Sequence, residues 1–310
     1  MITALDRVCQ SRVIPRSNER ENFKGPWKCK RRKKMITDKA GRAHFVIDQH
    51  VHVGMRPARS TTASSSYLPD ELIANMDANG VDMVVGFPKA NPHTDYRIEN
   101  ERIIAAMKQH PTRIVAFARI NPYFGANAVA DVHDYASKGA LGLKIHPLRD
   151  FSGNRVNDPE LMFPIVEAAQ QERLLLLVHS GNSWNCAPTL IGDLARNFPK
   201  ANFVIAHSAG FEGHQEAIAV MRHQDNLYVD TASNGYPDIT TNVVRALGPE
   251  RVIYGSDHPT LPFGFELGKV VKYAGLNSDQ LDLILGKNLT RLLGIEPKPS
   301  APKTMDIMQL

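Results

Sequence analysis

Eight short apolar runs, each followed by a polar turn and then an amphipathic stretch, predict an α/β fold of the (β/α)8 TIM-barrel type. Three observations carry this. The runs recur over about 250 residues, the size of one such barrel. They read as continuous apolar segments, as strands of a parallel sheet covered on both faces do. Histidine, lysine and aspartate collect at their C-terminal ends, where barrels of this kind build their sites.

In order, the runs are "HFVIDQHVHVG" from 44, "VDMVVGFP" from 81, "RIVAFARINP" from 113 and "ALGLKIHP" from 140. Then come "LLLLVHSG" from 174, "NFVIAHSAG" from 202, "NLYVDTAS" from 226 and "VIYGSDHP" from 252. Between them, stretches such as "ENERIIAAMKQHP" and "FPIVEAAQQER" space apolar residues as one helix face requires. The closing "SDQLDLILGKNLTRLLGI" predicts a last helix with Ser278 as its N-cap. A doubly wound open sheet is the rival fold. It advertises a Gly-rich phosphate turn after its first strand, and "HVHVGMRPARS" contains none. The expected organisation is a basic, disordered leader over 1–43, the barrel over 44–296 and a tail over 297–310.

The chain has 310 residues, 43% hydrophobic and 22% charged, an ordinary balance for a globular protein. No apolar run nears the roughly 18 residues that span a bilayer, and the first residues lack the apolar core of a secretory signal. Cys9, Cys29 and Cys186 are scattered without CxxC spacing, which argues against a disulfide framework and for a reducing, cytoplasmic setting. The net charge of +5 is unevenly placed. Residues 1–43 hold 13 Lys or Arg against 4 Asp or Glu, which leaves the remainder at −4. Nucleic-acid binding by the barrel therefore has no electrostatic support. "KCKRRKK" at 28–34 fits a localisation or polyanion-binding patch, and an Arg-rich presequence is opposed by Glu19 and Glu21. The favoured reading of the leader is an inert tail or an over-extended start, because "MIT" occurs at Met1 and again at Met35.

Comparing strand ends sharpens the chemistry. The first run ends in Asp48, His50 and His52, spaced by two, so alternation places all three on one face. The fourth ends in Lys144 and His146, the fifth in His179, the sixth in His207 and the eighth in Asp257 and His258. One histidine at a strand end is ordinarily structural. Histidines at matching positions of three strands, with an acid on the eighth, point to a cation. Asp48 is then expected to buttress a ligand, and His258 to point away.

These motifs, with "GLKIHP" and "ILGKNLTRLLGI" among them, resemble the amidohydrolase superfamily over residues 45–295, in its amidohydrolase-related branch. That branch includes aminocarboxymuconate-semialdehyde decarboxylase, resorcylate-type decarboxylases, and lactonases and other hydrolases. The resemblance implies one divalent metal, with His50 and His52 as first-strand ligands, His179 as the fifth-strand ligand and Asp257 as the eighth-strand carboxylate. It implies that His207 orients or deprotonates a water, and it allows a homodimer through the outer helices. Three imidazoles and one carboxylate suit Zn²⁺, with Mn²⁺, Fe²⁺ or Co²⁺ as alternatives. Such a cation brings the pKa of its water towards roughly 7. A carboxylated Lys144 bridging two metals is the competing arrangement; one metal is favoured.

Arg119, Lys144 and His146, with Arg149 just beyond, suggest a small carboxylate-bearing substrate, since buried charge is costly unless matched. Alternatively Arg119 pairs with an internal acid such as Asp48 or Asp230. Trp184 either stacks on a flat substrate or caps the rim. The expected activity is hydrolysis of an ester, lactone or amide, with Asp257 passing a proton to the leaving group. Metal-dependent decarboxylation of an aromatic or unsaturated acid is the alternative, and a catalytically silent scaffold is disfavoured because every expected ligand type is present.

Overall fold

The computed structural model describes residues 35–54, 68–89, 95–151, 153–181, 183–296 and 304–305. The leader through residue 34 and the loop over 55–67 lie outside the described residues. So does most of the tail after 296.

The eight runs become eight strands: β1 Ile47–Val53, β2 Met83–Pro88, β3 Ile114–Arg119 and β4 Gly142–Ile145, then β5 Leu175–Val178, β6 Phe203–Ile205, β7 Leu227–Asp230 and β8 Val252–Ile253. Each pairs in parallel with the next, in sequence order. A parallel bridge between Val51 and His258, with Gln49 N–H donating to Tyr254 O and His52 N–H to His258 O, brings the first strand to the last. The result is a nearly closed TIM barrel.

Alternation along the strands divides the apolar residues into two cores. Val85, Phe87, Val115, Phe117, Leu175, Leu177, Val204 and Tyr228 fill the barrel interior. Val84, Ala116, Leu143, Leu176, Ile205 and Val229 face outward and pack beneath the helices. Gly142 belongs to the interior set by position: a Cβ there would lie 2.4 Å from both Leu175 O and the Phe117 ring. The aromatic ring needs that glycine's space.

The helices start where local chemistry favours it. Proline stands in the first turn of Pro69–Asn79, Pro188–Asn197 and Pro237–Leu247, where its missing N–H goes unused. Near the C-terminus the N-cap is Asn277, not the expected Ser278. Asn277 Oδ1 accepts Gln280 N–H at 3.0 Å and Gln280 Oε1 accepts Asn277 N–H at 3.0 Å, a reciprocal capping box. Ser278 Oγ donates instead to Asp38 Oδ2, at 2.5 Å.

That contact corrects the leader boundary. Residues 35–43 are not a disordered extension. Met35–Thr37 pairs antiparallel with Ala43–His44 and parallel with Thr304–Met305. Arg42 pairs with Asp279 and Asp282, and buried His44 sits between Asp38 and Asp282, at 3.1 and 2.7 Å. The chain is clasped to its last helices before the barrel begins. No helix among the described residues is long and apolar enough to cross a membrane.

Candidate functional site

The C-terminal ends of the strands surround a cavity of about 710 Å³. Its lining includes His50, His52, Lys144, His146, Arg149, His179, His207, Ser233 and Asp257, together with Lys89. A volume in this range accepts a small molecule.

β1 delivers its histidines inward by a register shift. The pairing of β1 with β2 slips between Asp48 and Val51. Ile47 lies in the inner core while Val51 and Val53 lie in the outer one, so the period of two is broken. The shift separates Asp48 from the two histidines, against the expectation that all three share a face. Asp48 Oδ1 instead accepts the N–H of His50 at 2.9 Å and of Ser256 at 3.0 Å, tying the backbones of β1 and of the segment after β8. Burial pushes its carboxyl up to about 8, against the pull of those donors.

Three donor atoms converge: His50 Nε2, His52 Nε2 and Asp257 Oδ1, the carboxylate oxygen lying 3.5 Å from the first and 3.0 Å from the second. His50 Nδ1 lies 2.8 Å from Asp230 Oδ2. A carboxylate beside Nδ1 keeps the proton there and leaves the lone pair on Nε2, the form that binds cations. Asp230 also accepts the N–H of His207 at 2.6 Å and of Ala232 at 3.1 Å. Sequence reasoning considered Asp230 only as a partner for Arg119. The signal was present: "YVD" ends the seventh strand in an acid, as "GSD" ends the eighth.

His207 Nδ1 lies 2.9 Å from Ala232 O, which can only accept, so Nδ1 carries the proton and Nε2 the lone pair. His179 Nδ1 donates to that Nε2 at 3.0 Å, which leaves His179 Nε2 unprotonated. His179 lines the same cavity but is not among the three converging donors. His146 stacks on it, rings 3.7 Å apart and within 13° of parallel.

Electrostatics favour the ligand forms. Burial, with Lys144 next, pushes His50 well below the ordinary imidazole value. Burial likewise lowers His52, His179 and His207. Burial alone would raise Asp257, but the His52 hydrogen bond and the surrounding imidazoles hold it well below the usual carboxylate range. The site therefore presents neutral nitrogens and an ionised carboxylate, a donor set suited to a divalent cation. His52 Nδ1 is also buried with no hydrogen-bond partner among the described residues.

Lys144 Nζ lies 3.0 Å from His50 Nε2 and 4.9 Å from the Phe87 ring centroid. Burial brings it down to about 7. An ammonium and a divalent cation repel at this spacing, and the lowered pKa lets the amine give up its charge when a cation binds.

Backbone strain is concentrated here. Six non-glycine residues have positive φ among those described: Arg173, His207, Ser208, Ala209, Ser233 and Asp257. All but Arg173 belong to the loops that carry the centre. Such conformations cost of order 1–3 kcal/mol each and persist only where the surroundings enforce them.

Other expected residues lie elsewhere. Arg119 is fully buried and does not line the cavity; its Nε donates to Asp150 Oδ1 at 3.0 Å and its Nη1 to Pro88 O at 3.1 Å. The internal acid is Asp150, at the end of the short helix Pro147–Asp150 after β4, rather than Asp48 or Asp230. Trp184 is 60% exposed and outside the cavity lining. His258 is buried and stacks on Phe263, ring centroids 4.1 Å apart.

A family model described as Amidohydrolase matches residues 47–295. The chain belongs to the amidohydrolase family. The matched segment contains every strand of the barrel and every donor at its mouth. Solved structures share the fold. A 5-carboxyvanillate decarboxylase from Sphingomonas paucimobilis has TM-score 0.66 at 19% identity, covering 81% of this chain and 99% of its own. The enzyme of that name from Novosphingobium aromaticivorans, complexed with manganese and 4-hydroxy-3-methoxy-5-nitrobenzoic acid, gives 0.67 at 14%, covering 86% and 99%. A protein from Acinetobacter baumannii named as a probable 2-pyrone-4,6-dicarboxylic acid hydrolase, with citric acid bound, gives 0.62 at 16%, covering 81% and 99%. At these identities the likeness is one of fold. No curated protein matches the chain.

Proposed function

We propose that this amidohydrolase-family member is a metal-dependent hydrolase acting on an ester, lactone or amide carbonyl of a small carboxylate. The observation that carries the reading is the convergence of His50 Nε2, His52 Nε2 and Asp257 Oδ1 beside a second pair of imidazoles locked in base form. His50, His52 and Asp257 hold the ion, and His179, with Nε2 unprotonated, completes the set. Zn²⁺ suits these donors best, and Mn²⁺ is the alternative. When bound there, the ion supplies Lewis acidity, polarising a carbonyl and making water acidic near neutral pH.

The chain's own residues do the rest. His207 is the base: its Nδ1 proton is fixed on Ala232 O, so Nε2 is the atom left to take a proton from the attacking water, which has to displace the His179 Nδ1–H that Nε2 accepts in this structure. Burial keeps this imidazole neutral, and thus able to accept, at physiological pH. Asp230 holds the His207 backbone and the His50 ring together, so the base and one ligand move as a unit. Arg149 and Lys89 stand on the cavity wall, where a substrate carboxylate gains from positive charge. His207, once protonated, gives that proton up to the leaving group by way of Asp257, which returns to its ionised form.

Decarboxylation is the second reading. The 5-carboxyvanillate decarboxylases above share this fold, and so do 2,6-dihydroxybenzoate decarboxylases. The metal-reconstituted enzyme is to be assayed on pyrone and other lactone carboxylates and on hydroxybenzoates, following acid release and CO₂ release in parallel. Hydrolysis predicts acid release from a lactone without CO₂. CO₂ from a hydroxybenzoate, with no lactone turned over, would establish the second reading instead.

A further inference from the structure

Behind the loop after β7 lies a buried ion pair that the reaction above does not use. Glu266, in the short helix Phe263–Gly268, and Lys269, just beyond it, are 1% and 5% exposed. Lys269 Nζ donates to Glu266 Oε2 at 2.6 Å, to Asn234 Oδ1 at 2.8 Å and to Thr231 O at 2.8 Å. All three ammonium donors are spent, two of them on residues 231–234. Burial raises the Glu266 carboxyl and lowers the Lys269 amine, while each holds the other's charge. A buried pair of this kind is poor evidence of stabilisation, since apolar residues of similar volume often do as well.

What the pair grips explains its presence. Residues 231–234 touch the centre at two points: Ala232 O accepts from His207 Nδ1 at 2.9 Å, and Ser233 Oγ donates to Asp257 Oδ2 at 3.1 Å. Ser233 is held at φ 48°, which a serine does not adopt without external restraint. Thr231 and Asn234, the two residues Lys269 holds, flank those two contacts. Loop, base and carboxylate ligand thus hang on one ammonium group.

We propose that Lys269 and Glu266 are positioning residues: through Thr231 and Asn234 they fix the loop whose Ala232 carbonyl sets the His207 tautomer and whose Ser233 hydroxyl aims Asp257 at the cation. The inference rests on reading that centre as a metal site and adds the part of the fold that tunes it. Partners that orient a ligand without touching the metal typically change affinity by about 10–100-fold when removed.

The test is Co²⁺ binding to the full chain, by chelator competition and by the visible absorption band, which reports ligand geometry. Wild type is compared with Lys269→Met, Glu266→Gln, Ser233→Ala and the Lys269→Met/Ser233→Ala double variant, with circular dichroism as the control for folding. Lys269→Met is expected to bind about tenfold more weakly and to shift the band. Glu266→Gln should do both to a smaller extent, and it carries the test alone if Lys269→Met does not fold. The double variant should lose less than the two single losses multiplied, because both act through one loop. Variants with wild-type affinity and an unchanged band would overturn this inference alone, leaving a merely structural pair. A wild type that binds no Co²⁺ would remove the metal reading and this inference with it.

Discussion

Asp257→Asn is expected to bring metal content below about a tenth of the wild-type level and turnover down by at least about 10³-fold, roughly 4 kcal/mol of transition-state stabilisation. Asn keeps the shape of the side chain and an oxygen for Ser233. What it loses is the charge, which the surrounding imidazoles hold ionised against the pull of burial. That charge is the only anion among the three converging donors. Elemental analysis and kcat on the same preparation measure both effects. Full metal content with full turnover would show that Asp257 is not a ligand.

Asp150→Ala should produce the largest stability loss, about 3–5 kcal/mol, the usual cost of removing one partner of a buried pair. Asp150 and Arg119 are both fully buried, so the guanidinium left behind has neither water nor a counter-ion. The same carboxylate accepts the Tyr96 hydroxyl at 2.8 Å and the His146 N–H at 2.9 Å, so three groups lose their acceptor together. Urea unfolding of the metal-free protein measures the loss. Domain stabilities are of order 5–15 kcal/mol, so the variant should unfold at markedly lower urea. An unchanged midpoint would mean that Arg119 finds another partner.

The barrel was legible in the sequence because its signal is repeated. Each apolar run is short, but eight in one rhythm admit few architectures, and a polar residue closing a run is conspicuous against "LLLLV". That His50, His52, His179, His207 and Asp257 line one cavity followed from the same comparison of strand ends. Its geometry did not. The register shift in β1 turns Asp48 away from His50 and His52, and nothing in "VIDQHVHV" announces it, since strict alternation is the default a strand sequence implies. The left-handed residues at 207–209, 233 and 257 were equally silent, because His, Ser, Ala and Asp carry no such preference as glycine does.

Charge partners were the other blind spot. That Arg119 meets Asp150, and that Arg42 and His44 meet Asp282 some 240 residues away, depends on closure of the barrel rather than on any local pattern. For that reason residues 35–43 read as a loose basic leader when they are clasped to the last helices. Asp230 was the one omission the sequence could have prevented, by treating the seventh strand end as the others were treated.

One divalent ion is proposed to sit at the mouth of this barrel. Metal per chain, measured by elemental analysis on wild type and on His179→Ala purified without chelator and then reconstituted, tests it most directly. About one equivalent in wild type, lost or weakened in the variant, is the predicted result. No metal in the reconstituted wild type would contradict the account; two equivalents would replace it with a bridged pair at Lys144.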